Sequence, residues 1–191
     1  ERWLDSLSCK SKTRNEYLTA WNVFLDWLVY EDRLEENPIK GKVRRARVSP
    51  VEGKKRRAFT LDEVGRLLDV AERHELLYLT AVTTGARFRE LQLLLWVDVH
   101  EDDEHPHIVL QPKNTKNRKG RTVYLTEELA EALRGARPKA KTPRVFRRMP
   151  SHHTVTKHIK AAGIEKQSSD RIACFHSLRH TFTTTIARTT G

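Results

Sequence analysis

Between Glu75 and Trp96 the chain carries apolar residues at helical spacing, and Gly85 cuts the pattern in two. A helix over Glu75–Thr84 is built on Leu76, Leu77, Leu79 and Val82, and one over 87–96 turns Leu91, Leu94 and Leu95 inward. Arg87 follows the Thr83-Thr84-Gly85 turn and opens the second helix. A cation there stands beside free backbone N–H groups, a setting that favours anions.

Other patterns fill in the frame. Ser11–Tyr30 reads as a helix, with Thr13 and Glu16 at capping-box spacing and Tyr17, Trp21, Phe24, Leu25 and Leu28 on one face. So aromatic a face needs a partner surface, and the N-terminal unit is expected to be small or cut short. The helix should end before Asn37-Pro38. Residues 41–57, with Ser49-Pro50 and Gly53, lack apolar periodicity and read as an exposed linker. Thr60 and Glu63 form a second capping box, followed by inward Val64, Leu67, Leu68 and Ala71. His107–Leu110 and 122–125 look like strands joined by a polar turn, and helices should cover 127–133, 153–162 and 178–187. The expected fold is mainly α with a small antiparallel β-sheet.

A chain of 191 residues can form one core, or one domain and part of another. No apolar run approaches the length needed to cross a bilayer. Cys9 and Cys174 stand alone and form no metal-type pair, so they read as reduced thiols. The net charge, +11, is unevenly placed. Residues 40–57 carry +8, 113–121 carry +5 and 137–148 carry +6, which leaves the rest at −8. An acidic body with three positive segments suits a polyanion laid along a defined surface. A membrane surface fits less well, because none of the three has an amphipathic apolar face.

Three stretches carry groups that handle phosphate: Thr84-Gly85-Ala86-Arg87-Phe88-Arg89-Glu90-Leu91, Thr115-Lys116-Asn117-Arg118-Lys119-Gly120-Arg121, and His176-Ser177-Leu178-Arg179-His180-Thr181. Breaking a phosphodiester without water requires stabilising a crowded anionic phosphorus and protonating the departing oxygen. Arginine suits the first task, because its planar fork grips two oxygens and stays charged. A lysine on a hairpin turn, Lys116, can reach a leaving alkoxide as general acid. His176 can take a proton from an attacking hydroxyl or donate a hydrogen bond to phosphate.

In this order the residues resemble the tyrosine recombinase, or phage integrase, family of site-specific DNA recombinases. Arg87 occupies the position of the family's first catalytic arginine, and Glu90 that of a supporting acidic residue. Lys116, rather than Lys119, matches its hairpin lysine, and His176 and Arg179 match its His-x-x-Arg box, with His180 beside them. Thr13, Tyr17, Phe24, Trp27 and Asn37-Pro38 resemble the end of its core-binding domain.

The resemblance implies a partial helical core-binding domain over 1–40, a basic linker over 41–57 and a catalytic domain over 58–191. It implies double-stranded DNA as partner, met by Lys42, Arg44, Arg45, Arg47, Lys54, Lys55, Arg56, Arg57, Lys113, Arg118, Lys119 and Arg121. It further implies a tetrameric homo-oligomer on DNA, a bacterial or phage cytoplasmic setting, and no cofactor, metal or membrane. Strand exchange in this family runs through a 3′-phosphotyrosyl link. Tyr17, Tyr30, Tyr78 and Tyr124 all stand in the wrong place for that nucleophile. The chain is therefore expected to be a fragment that holds a scissile phosphate without cutting it.

Two other readings of the residues stay open. One is a non-catalytic DNA-binding regulator of the same fold. The other is a metal-binding domain using His152, His153 and His158, which is weaker because adjacent histidines point apart on a helix.

Overall fold

The computed structural model describes residues 3, 6, 8–48, 55–115, 118–167 and 171–189. These fall into two compact units, Glu1–Gly53 and Lys54–Gly191.

The first unit is built on helix α1, Ser11–Tyr30. Its N-cap is Lys10, with no side-chain cap, so the expected Thr13–Glu16 box does not form. Thr13 already has helical backbone, whereas a capping residue must stand outside the helix. Of α1, Leu18 is buried, while Tyr17, Trp21, Phe24 and Trp27 are 44–48% exposed. The aromatic face that the periodicity points inward is open. Its rings touch one another instead, Trp21 edge-on to Phe24 with centroids 6.1 Å apart.

After α1 the chain turns on Asn37, which is buried. Its amide donates to Asp26 at 2.8 Å, and its carbonyl oxygen accepts from the Ile39 N–H at 3.1 Å. The basic segment that follows is not a free linker. Asn15 grips Ala46 at both ends, donating to its carbonyl at 2.9 Å and accepting from its N–H at 2.8 Å. The division between units falls after Gly53, inside the stretch expected to be linker.

The second unit begins with β1, Lys55–Arg56. Helix α2, Leu61–Asp69, starts on the predicted Thr60–Glu63 box, with both reciprocal hydrogen bonds made. Helix α3, Glu75–Thr84, follows and ends at Gly85, whose φ of +59° only glycine adopts freely. The short helix α4 covers Phe88–Gln92, with Arg87 as N-cap. The longer helix expected over 87–96 is thus cut to five residues, because the chain turns to bring Trp96 and Val99 into the sheet region.

Strands β2 (Val99–His100), β3 (His107–Leu110) and β4 (Arg121–Tyr124) form an antiparallel sheet in that order. Helices α5 (Glu127–Ala136) and α6 (His152–Ala161) follow. Strand β5 (Arg171–Ile172) pairs in parallel with β1, setting Arg56 beside Ile172. Helix α7, Phe175–Thr189, closes the unit.

Helix α3 is the centre of the core. It packs against α2, α5 and α7, and its buried residues Leu77, Tyr78, Thr80, Ala81 and Thr84 lie on one broad face, while the expected Leu76, Leu79 and Val82 are only partly buried. Leu67, Leu91, Ile108, Leu129, Leu133, Ile159 and Leu178 complete the cluster. A pin across the long sequence gap ties the unit shut. The Phe59 N–H donates to the Thr181 hydroxyl at 2.8 Å, and that hydroxyl donates to the Ser177 carbonyl at 3.0 Å.

Candidate phosphate-holding site

The site is assembled where the start of α4 meets the start of α7. The rings of Phe88 and Phe175 meet edge-to-face there, with centroids 4.9 Å apart. This contact sets Arg87 and His176, the neighbours of those rings in sequence, at one edge of the unit.

Glu90 organises the arginines. Its side chain is 1% exposed. One oxygen accepts from the Arg87 guanidinium at 2.6 Å, and the other from the Arg87 backbone N–H at 2.9 Å. Arg121, on β4, reaches the same carboxylate at 3.3 Å. Burial pushes the Glu90 carboxyl up, but the Arg87 N–H, the Arg87 guanidinium and Arg121 outweigh it and hold it below its ordinary value. Glu90 therefore stays ionised and occupies one edge of Arg87. The Arg87 side chain remains 35% exposed, with donors left for an external anion.

Arg179 donates through Nη1 to the Gly85 carbonyl. The left-handed turn at Gly85 aims that carbonyl, so the glycine which ends α3 also positions an arginine of α7. Burial lowers the Arg179 pKa, and Arg87 and Arg121 lower it further. Like charges gathered this closely around Arg179 suit the binding of an anion.

His176 lies on the same helix, its ring 5.2 Å from that of His180. Burial lowers its pKa first, followed by Arg56, His180, Arg179 and Arg87. An imidazole so placed is neutral at physiological pH, with a lone pair to accept a proton. Among the described residues it has no hydrogen-bond partner. Arg87, Glu90, Arg121, His176, Arg179 and His180 are thus brought together, and Arg56 joins them through the β1–β5 pairing.

Other expected residues are placed elsewhere. Lys116 and Lys54 lie outside the described residues. Lys113, Arg118 and Lys119 are exposed on the β3–β4 connection, and Lys55 is exposed on β1. The Thr115 hydroxyl lies 2.8 Å from the Lys119 carbonyl, which pinches that connection shut. Lys42, Arg44, Arg45 and Arg47 are exposed in the first unit, Lys42 3.3 Å from Glu36 and Arg45 donating to Thr19 at 3.1 Å.

Two expectations about basic residues are corrected. Arg57 is not a free linker cation. It grips Glu63 with both nitrogens at 2.7 Å and donates to the Glu165 carbonyl, and its side chain is 19% exposed. Arg137, first of the third basic segment, is likewise paired, although its side chain is 40% exposed. It is bound to buried Glu101 and the Val99 carbonyl, and lies over the Trp96 ring at 5.0 Å. Charge counting missed both because the partners, Glu63 and Glu101, lie outside the basic runs. The roles of Gly85 and Arg121 in positioning were also missed, since neither follows from spacing along the chain. As for the histidines weighed as metal ligands, His158 is buried with Nδ1 2.8 Å from the Tyr78 hydroxyl, while His152 and His153 are exposed.

Comparisons with known proteins agree on the fold. Lambda integrase, solved as a dimer bound to a COC′ core site, superposes with a TM-score of 0.65 at 18% identity, over 90% of this chain and 51% of that one. XerH recombinase bound to difH substrate gives 0.67 at 18% identity, over 98% and 58%. The Tn1549 transposon integrase, in complex with a circular intermediate DNA, gives 0.64 at 14% identity, over 95% and 68%. The chain spans about half the length of lambda integrase. No curated protein sequence matches it. The model of the phage integrase family matches residues 57–190, a span that holds every residue of the cluster except Arg56, and the chain belongs to that family.

Proposed function

We propose that this chain is the DNA-binding and phosphate-holding part of a site-specific recombinase that cleaves and rejoins strands through a phosphotyrosyl intermediate. The observation that carries this reading is the convergence of Arg87, Arg179 and His176 on one edge of the second unit, with buried Glu90 orienting Arg87.

Each residue has a role in the proposal. Arg87 and Arg179 grip the non-bridging oxygens of the scissile phosphate and neutralise charge as phosphorus becomes five-coordinate. Neutral His176 accepts a proton from the attacking hydroxyl or steadies the phosphate by a hydrogen bond. Lys116 protonates the departing 5′ oxygen. The covalent nucleophile is a tyrosine hydroxyl that none of Tyr17, Tyr30, Tyr78 or Tyr124 supplies. Of these, Tyr78 is sealed in the core against His158. The partner is double-stranded DNA, held along Arg44, Arg45, Arg47 and the β3–β4 connection, with several copies assembling on one site. No helix among the described residues is long and apolar enough to cross a membrane.

The test uses a protein that carries this chain together with its nucleophile. On a nicked duplex it accumulates a covalent protein–DNA complex. Arg87→Ala or Arg179→Ala slows that accumulation about 100-fold or more, because a charge-stabilising donor is lost from the transition state. Duplex binding is largely retained. Undiminished trapping by Arg179→Ala overturns the assignment, and duplex binding without trapping by the parent protein favours a non-catalytic regulator.

A further inference from the structure

A second cluster of ligating side chains lies on the β2–β3 hairpin, and none of its members belongs to the phosphate-holding site. His100 and His107 are register partners across the two strands. Their rings are stacked, with centroids 4.6 Å apart and planes 15° from parallel. Asp103, in the connecting turn, sets a carboxylate oxygen 4.0 Å from His100 Nδ1 and 3.8 Å from His107 Nδ1. One ligating atom from each of the three lies within 4.8 Å of the others.

We propose that His100, Asp103 and His107 form a binding site for a divalent transition metal of the zinc class. Two imidazoles and one carboxylate are a donor set for borderline ions such as Zn²⁺, Co²⁺ and Ni²⁺, not for Mg²⁺ or Ca²⁺, which prefer all-oxygen cages. Ligands about 2.0–2.2 Å from a tetrahedral ion lie roughly 3.3–3.6 Å apart. The observed spacing therefore closes by side-chain rotation alone. That rotation is open to His100 and Asp103, whose side chains are 39% and 54% exposed.

The strand pairing removes most of the entropic cost, since it already sets the two histidines opposite each other. His107 Nδ1 also lies 2.9 Å from the His105 carbonyl, so ligation through that atom exchanges this hydrogen bond for the metal and leaves the ring proton on Nε2. Three protein ligands leave a fourth position for water or for a group from another molecule. Bound metal clips the tip of the hairpin to its own strands and acts on stability, remote in sequence from Arg87 and Arg179.

The experiment titrates the chain, freed of any affinity tag, with Co²⁺ and Zn²⁺, with Mg²⁺ as control. Co²⁺ is expected to produce the visible d–d absorption of a low-coordinate nitrogen and oxygen site, and Zn²⁺ to raise the thermal unfolding midpoint by several degrees. Asp103→Asn and His100→Gln, both at exposed positions, are expected to abolish the absorption and the shift while unfolding at the parent's metal-free midpoint. His152→Gln/His153→Gln is expected to retain both. Absorption that survives in Asp103→Asn and His100→Gln, or disappears in the His152/His153 variant, overturns the site, as does a parent chain that shows neither signal.

Discussion

Gly85 and Phe182 are in such close contact that a Cβ on the glycine would stand 2.2 Å from the Cδ1 of the ring. The backbone at Gly85 is also left-handed, at φ +59°. Both facts arise from one requirement: α3 must stop, and α7 must cross closely enough for Arg179 to reach the Gly85 carbonyl.

Gly85→Ala should therefore cost twice, once in backbone strain and once in displacement of the Phe182 ring. About 1–2 kcal/mol is expected from the left-handed conformation alone, with the clash added to it. Urea unfolding measures the sum. A loss below about 0.5 kcal/mol would mean that α7 shifts freely, and the close crossing would then not position Arg179.

Glu90→Gln keeps the shape of the buried carboxylate but removes its charge. Two arginines then face a neutral amide, and the Arg87 N–H keeps only a weaker acceptor. The expected loss is about 1–3 kcal/mol, below the figure for a fully buried pair because Arg87 and Arg121 are partly exposed. Arg87 is also released from its fixed orientation. Covalent trapping should therefore fall more than DNA affinity does, and equal falls in both would count against an orienting role for Glu90.

Arg57 and Arg44 separate structural from DNA-facing cations. Arg57→Met removes the partner of half-buried Glu63 and is expected to destabilise the second unit by about 1–2 kcal/mol, leaving the salt dependence of DNA binding unchanged. Arg44→Ala/Arg47→Ala alters exposed groups. It should leave stability alone and flatten the log–log salt slope by about two. Fluorescence anisotropy across a salt series, paired with urea unfolding, reads both. A flatter slope in Arg57→Met would return that residue to the DNA surface.

Stability should fall with acid in a window set by histidine. Burial lowers the pKa values of His74, His158 and His176 below the ordinary 6.5. Above that value all three are neutral in the folded and unfolded chain alike, and their contribution is level. As pH falls below it the unfolded chain takes up protons first, so stability declines until the folded-state values are passed. The decline should be visible between pH 6.5 and the carboxylate range near 4.5. His74→Gln/His158→Gln should flatten it, because both rings lie in the core beside Tyr78. An unaltered profile would place the acid sensitivity elsewhere.

Much of this was legible from the residues. The Thr60–Glu63 box, the helix end at Gly85 and the β3–β4 pairing follow from local backbone chemistry, so short-range patterns revealed them. Charge arithmetic was less dependable. It treated Arg57 and Arg137 as free cations, although Glu63 and Glu101 neutralise them. Helical periodicity likewise pointed the aromatic residues of α1 inward and built α3 on Leu76, Leu79 and Val82, which are only partly buried. It reports spacing within one helix, whereas burial depends on which elements arrive on each side.

Residue type and order along the chain were enough for the family, the mainly helical class and the candidate cluster of Arg87, His176 and Arg179, because each is written in local motifs. Tertiary structure alone decided which cations are free, how Glu90 and the Gly85 carbonyl aim Arg87 and Arg179, and that His100 and His107 face each other across a hairpin. Those are distances between residues remote in sequence, set by the packing of α3 against α7 and by strand register, which no local pattern encodes.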